Sequence, residues 1–298
     1  VYGKNECYTK EVIFFFEQVT GHLIPDIRFA IKYGVKEMLK KIEGKEGNGY
    51  KAFAIALESA IILANRYADL CEKLAGEESD AVRRAELTEM ARICRKVPEH
   101  PAENFREAMQ SFWFTFLMAL PSPTTSAGRF DQYMYPYYKN DIDRGIITDD
   151  EVLEFLEIMK CKVMKINRVS GKANRAKNAG MAKWYNWTLG GVKPDGSDAT
   201  NELTYLLLEA SRDTQLPHFT VTLRVHENTP DELMKKALEV VRTGIGMPAF
   251  VGDKSYINFF SNNGMTLEDA RDYVVAACWE FIVPKYGMDI DNIGAVCF

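Results

Sequence analysis

The spacing of apolar residues changes along this chain, and that change constrains the fold more than any other feature of the sequence. Up to about residue 168 the spacing is helical, as in the stripe Ile27, Ile31, Val35 and Leu39. From residue 186 onward, short apolar runs alternate with helical segments of about 10–16 residues. Strands that alternate with helices predict an α/β arrangement, either a sheet or a barrel.

The same patterns predict the individual elements. Helices are expected over 26–42 with Asp26 as N-cap, 53–68, 80–95, 102–120, 130–143, 149–167, 198–213, 230–245 and 254–263. Strands are expected over 187–192, 217–226, 248–251 and 273–279. Residues 169–185 are rich in Gly, Lys and Asn and predict a long loop.

The predicted strand at 217–226 alternates between apolar and polar residues. Odd positions from Phe219 to Val225 are apolar, and even positions from Thr220 to His226 are polar. Two structures fit this pattern: a half-exposed strand, or a strand whose polar face lines an interior cavity.

Near the end of the chain, Cys278 and Glu280 are separated only by Trp279. In an extended segment the thiol and the carboxyl would share one face, and Trp279 would pack behind them. A nucleophilic thiol usually has a histidine base, but the nearest histidine upstream is His226 and none follows. Cys278 is therefore predicted to act by a route other than thiolate attack.

Composition excludes several classes of function. The net charge is −5 with dispersed Lys and Arg, which argues against a nucleic-acid partner. The sequence has no apolar run of about 18 residues, so no membrane span is predicted. No signal peptide is recognisable either, and a cytoplasmic protein is expected. The six cysteines form no CxxC pair, which is typical of reduced thiols, and Cys71, Cys94 and Cys161 are expected to be buried. The sequence has no HExxH motif or cysteine cluster, so no metal is predicted.

Four further polar residues are interpreted as structural. His218 and His226 are too far apart along one strand to form a metal pair. Arg129 and Asp131 are expected to make ion pairs rather than to touch a substrate.

Several motifs in one order make the chain resemble the glycyl radical enzymes, the pyruvate formate-lyase-like superfamily. The resemblance covers nearly the whole chain. It is carried by residues 21–26, 128–138, 188–192, 198–203 and 244–250, and by 267–273 running into Cys278, Trp279 and Glu280.

The resemblance implies an α/β fold, a helix-wrapped ten-stranded α/β barrel of the glycyl radical enzyme type. This chain would supply the helical part and about half the barrel. It implies one partial domain over 1–298, with 1–168 as a mainly helical outer part and 169–298 as an α/β half-barrel with the cysteine loop. The chain starts at Val1 and ends in an apolar run, so we expect a piece of a longer protein.

The resemblance also implies radical chemistry, in which Cys278 moves a hydrogen atom as a thiyl radical and Glu280 transfers a proton. The cofactor would be a glycyl radical outside this chain, installed by a radical SAM activating enzyme; the Arg-Val-Ser/Ala-Gly-Tyr motif that carries it is absent here. Expected partners are a small-molecule substrate, the activase and a C-terminal glycyl radical domain. A homo-oligomer is expected, with a small iron–sulfur subunit as a further option.

The branch of the family is inferred from residues near the cysteine. Acyl-transferring members have two adjacent cysteines, whereas Ala277 and Trp279 flank Cys278. Residues 286–291 lack the Gly-Trp-His-Asp motif of diol and choline eliminases, and residues 121–126 lack their Gly-His-Ser motif. The favoured interpretation is an arylacetate decarboxylase, acting on a substrate such as 4-hydroxyphenylacetate. Ser122 would bind the substrate carboxylate, with Thr124 and Ser126 as alternatives.

Two alternatives remain open. One is a glycyl radical eliminase, a dehydratase or a C–N or C–S lyase, that acts on a small hydroxylated substrate. The other is a catalytically inert truncated subunit.

Overall fold

The computed structural model describes residues 24–119, 125–166, 185–276 and 279–285. These residues form two compact units. The helical unit comprises 26–119 and 136–146, and the α/β unit comprises the described parts of 1–25, 120–135 and 147–298.

The helical unit begins where the sequence predicts, but its first helix is broken. Asp26 accepts a hydrogen bond from Phe29 N at 3.2 Å and caps the helix as expected. The predicted helix over 26–42 is divided at Gly34, whose φ is +81°. A Cβ atom at Gly34 would lie 2.4 Å from Glu99 O, so only glycine permits this approach. The helices are α1 (Ile27–Tyr33), α2 (Val35–Ile42), α3 (Asn48–Glu77), α4 (Ala81–Lys96), α5 (Phe105–Ala119) and α7 (Tyr135–Asp143), of which only Tyr135 belongs to the α/β unit.

Small side chains let α3 and α4 pack closely. The buried face of α3 consists of Ala60, Ala64, Ala68, Cys71 and Ala75. Cys94 of α4 is buried with Ala64, Ala68 and Phe114 of α5. The predicted burial of Cys71 and Cys94 is therefore confirmed.

The α/β unit contains a parallel three-stranded sheet and a separate two-stranded hairpin. Strands β1 (Asn186–Gly190), β2 (Thr220–Val225) and β3 (Ala249–Gly252) are arranged in that order. The hairpin consists of β4 (Val274–Ala276) and β5 (Glu280–Ile282). The helices are α6 (Phe130–Tyr133), α8 (Asp149–Met164), α9 (Glu202–Thr214), α10 (Asp231–Arg242), α11 (Asp253–Asn262) and α12 (Leu267–Arg271).

Both faces of β2 are buried, so the half-exposed alternative for this strand is wrong. Thr222 and Arg224 on the polar face are as inaccessible as Val221 and Leu223 on the apolar face. A parallel sheet is covered on both faces, which leaves polar side chains to find partners inside the protein.

Two other predictions are corrected. The strand predicted over 273–279 ends at Ala276, and the chain reverses into β5. Cys161 is exposed because α8 buries the opposite side, with Val152, Leu156, Met159, Lys160 and Val163. Of the loop predicted at 169–185, only Tyr185 is among the described residues.

None of the helices in the described ranges is both long enough and apolar enough to cross a membrane.

Candidate active site

The hairpin of β4 and β5 brings the neighbours of the predicted radical cysteine together. Ala276 lies opposite Glu280 in the antiparallel register, and Trp279 N donates to Ala276 O at 3.0 Å. Cys278 lies outside the described residues, but Ala276 and Trp279 place both sides of its segment at the end of this hairpin.

The geometry of Trp279 corrects the simple picture of an extended Cys-Trp-Glu segment. Trp279 has a φ of +94°, so the chain is not extended through this residue. Its side chain is 41% exposed rather than packed behind its neighbours. Glu280 is half-buried. The alternation rule for strands therefore does not hold across Trp279.

The third predicted site residue, Ser122, lies outside the described residues, as does its alternative Thr124. The other alternative, Ser126, is fully buried. Its hydroxyl accepts a hydrogen bond from Asn186 N at 3.3 Å at the start of β1. Ser126 thus helps to anchor the first strand of the sheet.

A buried ion pair lies beside the hairpin. Arg224 of β2 donates from Nε and Nη2 to the two carboxylate oxygens of Asp253, at 2.7 and 3.0 Å. Asp253 also accepts from Tyr273 Oη at 2.7 Å and from Val192 N at 2.9 Å. Burial raises the pKa of the Tyr273 hydroxyl far above its ordinary value. The Tyr273 ring lies 3.8 Å from Arg224 Cζ, a cation–π distance.

Arg129 makes an ion pair with Asp272 at 3.7 Å, as expected, and both Arg129 and Asp131 also bind the backbone. Arg129 donates to Gly190 O at 2.9 Å and to Arg271 O at 3.3 Å. Burial lowers the pKa of Arg129 to about 10 and raises that of Asp131. Asp131 accepts from Gly190 N and from Thr204 Oγ1, both at 2.8 Å. These bonds fix the end of β1.

The histidines and Lys160 also have structural surroundings. His226 Nε2 lies 2.9 Å from an Asp198 oxygen, and His218 is buried beside Tyr185. Lys160 is fully buried and donates to Phe219 O at 3.2 Å and to Ser211 Oγ at 3.3 Å. Burial lowers the pKa of Lys160 to about 7. In the described part of the chain, no three His, Cys, Asp or Glu side chains are grouped as metal ligands would be.

Sequence reasoning missed Asp253, Tyr273 and Thr188. Thr188 Oγ1 accepts from Val275 N at 3.0 Å and donates to Val275 O at 3.4 Å. The polar face of β2 was the available signal, because a buried Arg224 requires a buried carboxylate. Asp253, directly after β3, is the acid that meets this requirement.

Residues 3–297 match the family described as pyruvate formate lyase-like. The chain is 38% identical to the isethionate sulfite-lyase of Oleidesulfovibrio alaskensis over 79% of this chain and 29% of that protein. It is 37% identical to the (2S)-3-sulfopropanediol dehydratase of Klebsiella oxytoca over 80% and 29% of the two chains. It is 29% identical to the 4-hydroxyphenylacetate decarboxylase glycyl radical subunit of Clostridioides difficile, over 94% and 34%.

Solved structures give the same result for the fold. A structure concerned with 1,2-propanediol dehydration in Roseburia inulinivorans has a TM-score of 0.81 and 34% identity, covering 89% of this chain and 35% of that one. The glycerol-bound form of the B12-independent glycerol dehydratase from Clostridium butyricum has a TM-score of 0.79 and 35% identity, covering 88% and 35%. The α/β barrel fold inferred from the sequence is confirmed. The chain spans about 29% of the length of the curated relatives named first.

Proposed function

Because this chain belongs to the pyruvate formate lyase-like family, the family of the glycyl radical enzymes, we propose that the whole protein is a glycyl radical eliminase. Such a lyase removes a leaving group from the carbon next to a hydroxylated carbon. The observation that carries this proposal is the single Cys278 with Glu280 two residues later, in a chain similar to a sulfite-lyase and a dehydratase.

In this proposal Cys278 and Glu280 divide the chemistry between a hydrogen atom and a proton. A glycyl radical elsewhere in the whole protein would supply the oxidant, as an acceptor for the hydrogen atom of the Cys278 thiol. Cys278 then takes a hydrogen atom from the hydroxylated carbon of the substrate, and Glu280 accepts the hydroxyl proton. The leaving group departs with the electron pair of its bond and takes up the proton from Glu280, and the product radical takes a hydrogen atom back from Cys278.

The described hairpin fits a radical delivered by a separate segment. Trp279, next to Cys278 in the sequence, is 41% exposed. We propose that a glycyl radical domain approaches here, after activation by a radical SAM enzyme.

Hydroxyalkanesulfonates are the substrate class that we propose first. The names of two relatives, at 38% and 37% identity, both specify substrates with a hydroxyl and a sulfonate group. Residues 286–291 also lack the Gly-Trp-His-Asp motif expected for diol and choline eliminases. The likeness to glycerol and propanediol dehydratase structures makes a small diol the second candidate.

The arylacetate decarboxylase favoured by the sequence pattern has less support. The decarboxylase subunit is 29% identical, whereas the sulfite-lyase is 38% identical over a shorter alignment. A role for Ser122 in binding a substrate carboxylate belongs to the decarboxylase interpretation alone.

The test is to activate the whole protein anaerobically and supply isethionate, sulfopropanediol, glycerol, hydroxyproline and 4-hydroxyphenylacetate in separate reactions. We expect sulfite or water to be eliminated with formation of a carbonyl product, and we expect Cys278→Ala to abolish it. Release of carbon dioxide from the arylacetate, without elimination from the other substrates, would contradict the eliminase proposal.

A further inference from the structure

The hairpin that leads to Cys278 is joined to the parallel sheet by side chains. Strands β4 and β5 pair with each other, and β1, β2 and β3 form a separate sheet. Among the described residues, no ladder of backbone hydrogen bonds links these two sheets. Strand β4 is nevertheless buried at all three of its residues. The position of the hairpin must therefore depend on other contacts.

Thr188 of β1 provides the first of these contacts. Its hydroxyl accepts from Val275 N at 3.0 Å and donates to Val275 O at 3.4 Å, so one side chain binds both polar backbone groups of the middle residue of β4. These are the groups that a neighbouring strand would otherwise bind.

Arg224 of β2 provides the second contact. It donates from Nη1 to Tyr273 O and from Nη2 to Arg271 O, both at 2.9 Å. The guanidinium fork thus binds two carbonyl groups in the segment directly before β4.

Arg224 is itself held in one orientation. Asp253 binds it through two oxygens, and the same carboxylate binds the Tyr273 hydroxyl. The backbone at Gly191 approaches so closely that a Cβ atom there would lie 2.6 Å from Arg224 Nε. Its φ of +74° also favours glycine. The site is built around an arginine in this one position.

Stability alone is a poor explanation for this arrangement, because well-packed apolar residues often replace a buried ion pair without loss of stability. Apolar side chains could not bind the carbonyl groups of Arg271 and Tyr273. The particular contribution of Arg224 is to set where the backbone of this segment lies.

We infer that Arg224 and Thr188 are positioning residues that set the location of the hairpin of β4 and β5, which leads to Cys278, relative to the parallel sheet of β1, β2 and β3. This inference rests on the proposed function, in which Cys278 exchanges a hydrogen atom with the substrate. Displacement of a reacting group by about 1 Å can lower a rate by about 10²-fold. Neither residue needs to touch the substrate to have this effect.

The test compares Thr188→Val with Thr188→Ser in the whole, anaerobically activated enzyme. Turnover is divided by the glycyl radical content measured by electron paramagnetic resonance, which corrects for unfolded or unactivated protein. We expect Thr188→Val to lower kcat per radical at least 10-fold with little change in KM. Thr188→Ser, which keeps the hydroxyl, should retain most of the activity.

Arg224→Lys provides a second variant, because it keeps the positive charge but loses the planar fork. It should also lower kcat per radical. Lys160→Met is the matched control, since Lys160 is a buried basic side chain of the same unit that binds Phe219 and Ser211 rather than the hairpin. Its kcat per radical should stay near the wild-type value.

Normal kcat per radical in both Thr188→Val and Arg224→Lys would overturn the inference, as would equal losses in the valine and serine variants. Cys278→Ala separates this failure from failure of the proposed function. If Cys278→Ala abolishes turnover while the other variants are normal, the function stands and the positioning role is wrong. If Cys278→Ala retains turnover, the proposed function itself is wrong.

Discussion

The helical unit and the α/β unit each bury a carboxylate, but the two carboxylates differ in the exposure of their partners. Glu107 is 1% exposed, and its partners Arg92 and Lys96 are 49% and 22% exposed. Asp253 is 2% exposed, and its partner Arg224 is 0% exposed. One ion pair therefore lies at the edge of a core, and the other lies wholly inside one.

This difference indicates what each group does. Glu107 and its partners join α4 to the start of α5. Because Arg92 and Lys96 are accessible to water, their charges would stay hydrated if Glu107 were replaced. The charge on Arg224 cannot be hydrated where it lies, so Arg224 and Asp253 depend on each other. Of these two groups, only the Arg224–Asp253 pair, the inner ion pair, also binds the backbone that leads to Cys278.

The largest effect is expected from Asp253→Asn, which leaves the Arg224 charge uncompensated inside the α/β unit. The free energy of unfolding of this unit should fall by about 3–5 kcal/mol. Denaturant-dependent hydrogen exchange of β1 and β2 would measure the loss. A loss below about 1 kcal/mol would show that the inner pair resembles an ordinary surface pair.

The buried amine of Lys160 should give the α/β unit a dependence on alkaline pH. Because burial lowers the folded pKa to about 7, the unfolded chain binds more protons between that value and the ordinary lysine value. Stability should therefore rise with pH across this window, by at most roughly 1.4 kcal/mol per pH unit. The difference in the free energy of unfolding between wild type and Lys160→Met, measured from pH 7 to pH 10, should change with this slope. An unchanged difference would show that the amine stays charged throughout.

Glu107→Gln is expected to have a smaller effect in the helical unit, about 1–2 kcal/mol, because Arg92 and Lys96 remain accessible to water. Burial opposes ionisation of Glu107, but hydrogen bonds from Lys96, Glu103 N and Arg92 lower its pKa on balance. Its contribution is thus present above the unfolded pKa and lost as pH falls through the folded pKa. The free energies of unfolding of wild type and Glu107→Gln should therefore converge at acidic pH. A difference that stays constant down to pH 2 would contradict this assignment.

The smallest effect is expected from Arg95→Ala on the surface of the helical unit. Arg95 joins α4 to Asp69 and to Glu72 of α3, the latter at 3.0 Å, yet its side chain is 40% exposed. Solvent and salt screen such pairs. Thermal unfolding in 1 M salt should not distinguish this variant from wild type, and a clear difference there would mean that the pair is less screened than its exposure indicates.

Much of the fold could be predicted because the local signals agreed with the tertiary structure. Asp26 has the side chain of an N-cap, and the patterns over 187–192 and 217–226 correctly predict the buried strands β1 and β2. The strand predicted over 248–251 also forms, as β3. The break at Gly34 was not predicted, because it depends on the close approach of Glu99 O, which no local pattern encodes.

The candidate site was harder to predict for a physical reason. Alternation along a strand predicts which side chains share a face, but it does not predict where the strand ends. The reversal between Ala276 and Glu280 depends on pairing across the hairpin and on the positive φ of Trp279. The pairing of Arg224 with Asp253 likewise joins residues that only the parallel sheet brings together.

Hydrogen exchange of the hairpin amides in wild type and Arg224→Lys is the most direct measurement of how the inner ion pair acts. Val275 N and Trp279 N are hydrogen-bonded reporters within the segment that Arg224 anchors. We expect these amides to exchange markedly faster in the variant, while those of β1 keep their protection. Unchanged exchange in the hairpin, or equal acceleration throughout the α/β unit, would contradict the claim that the pair positions the cysteine segment.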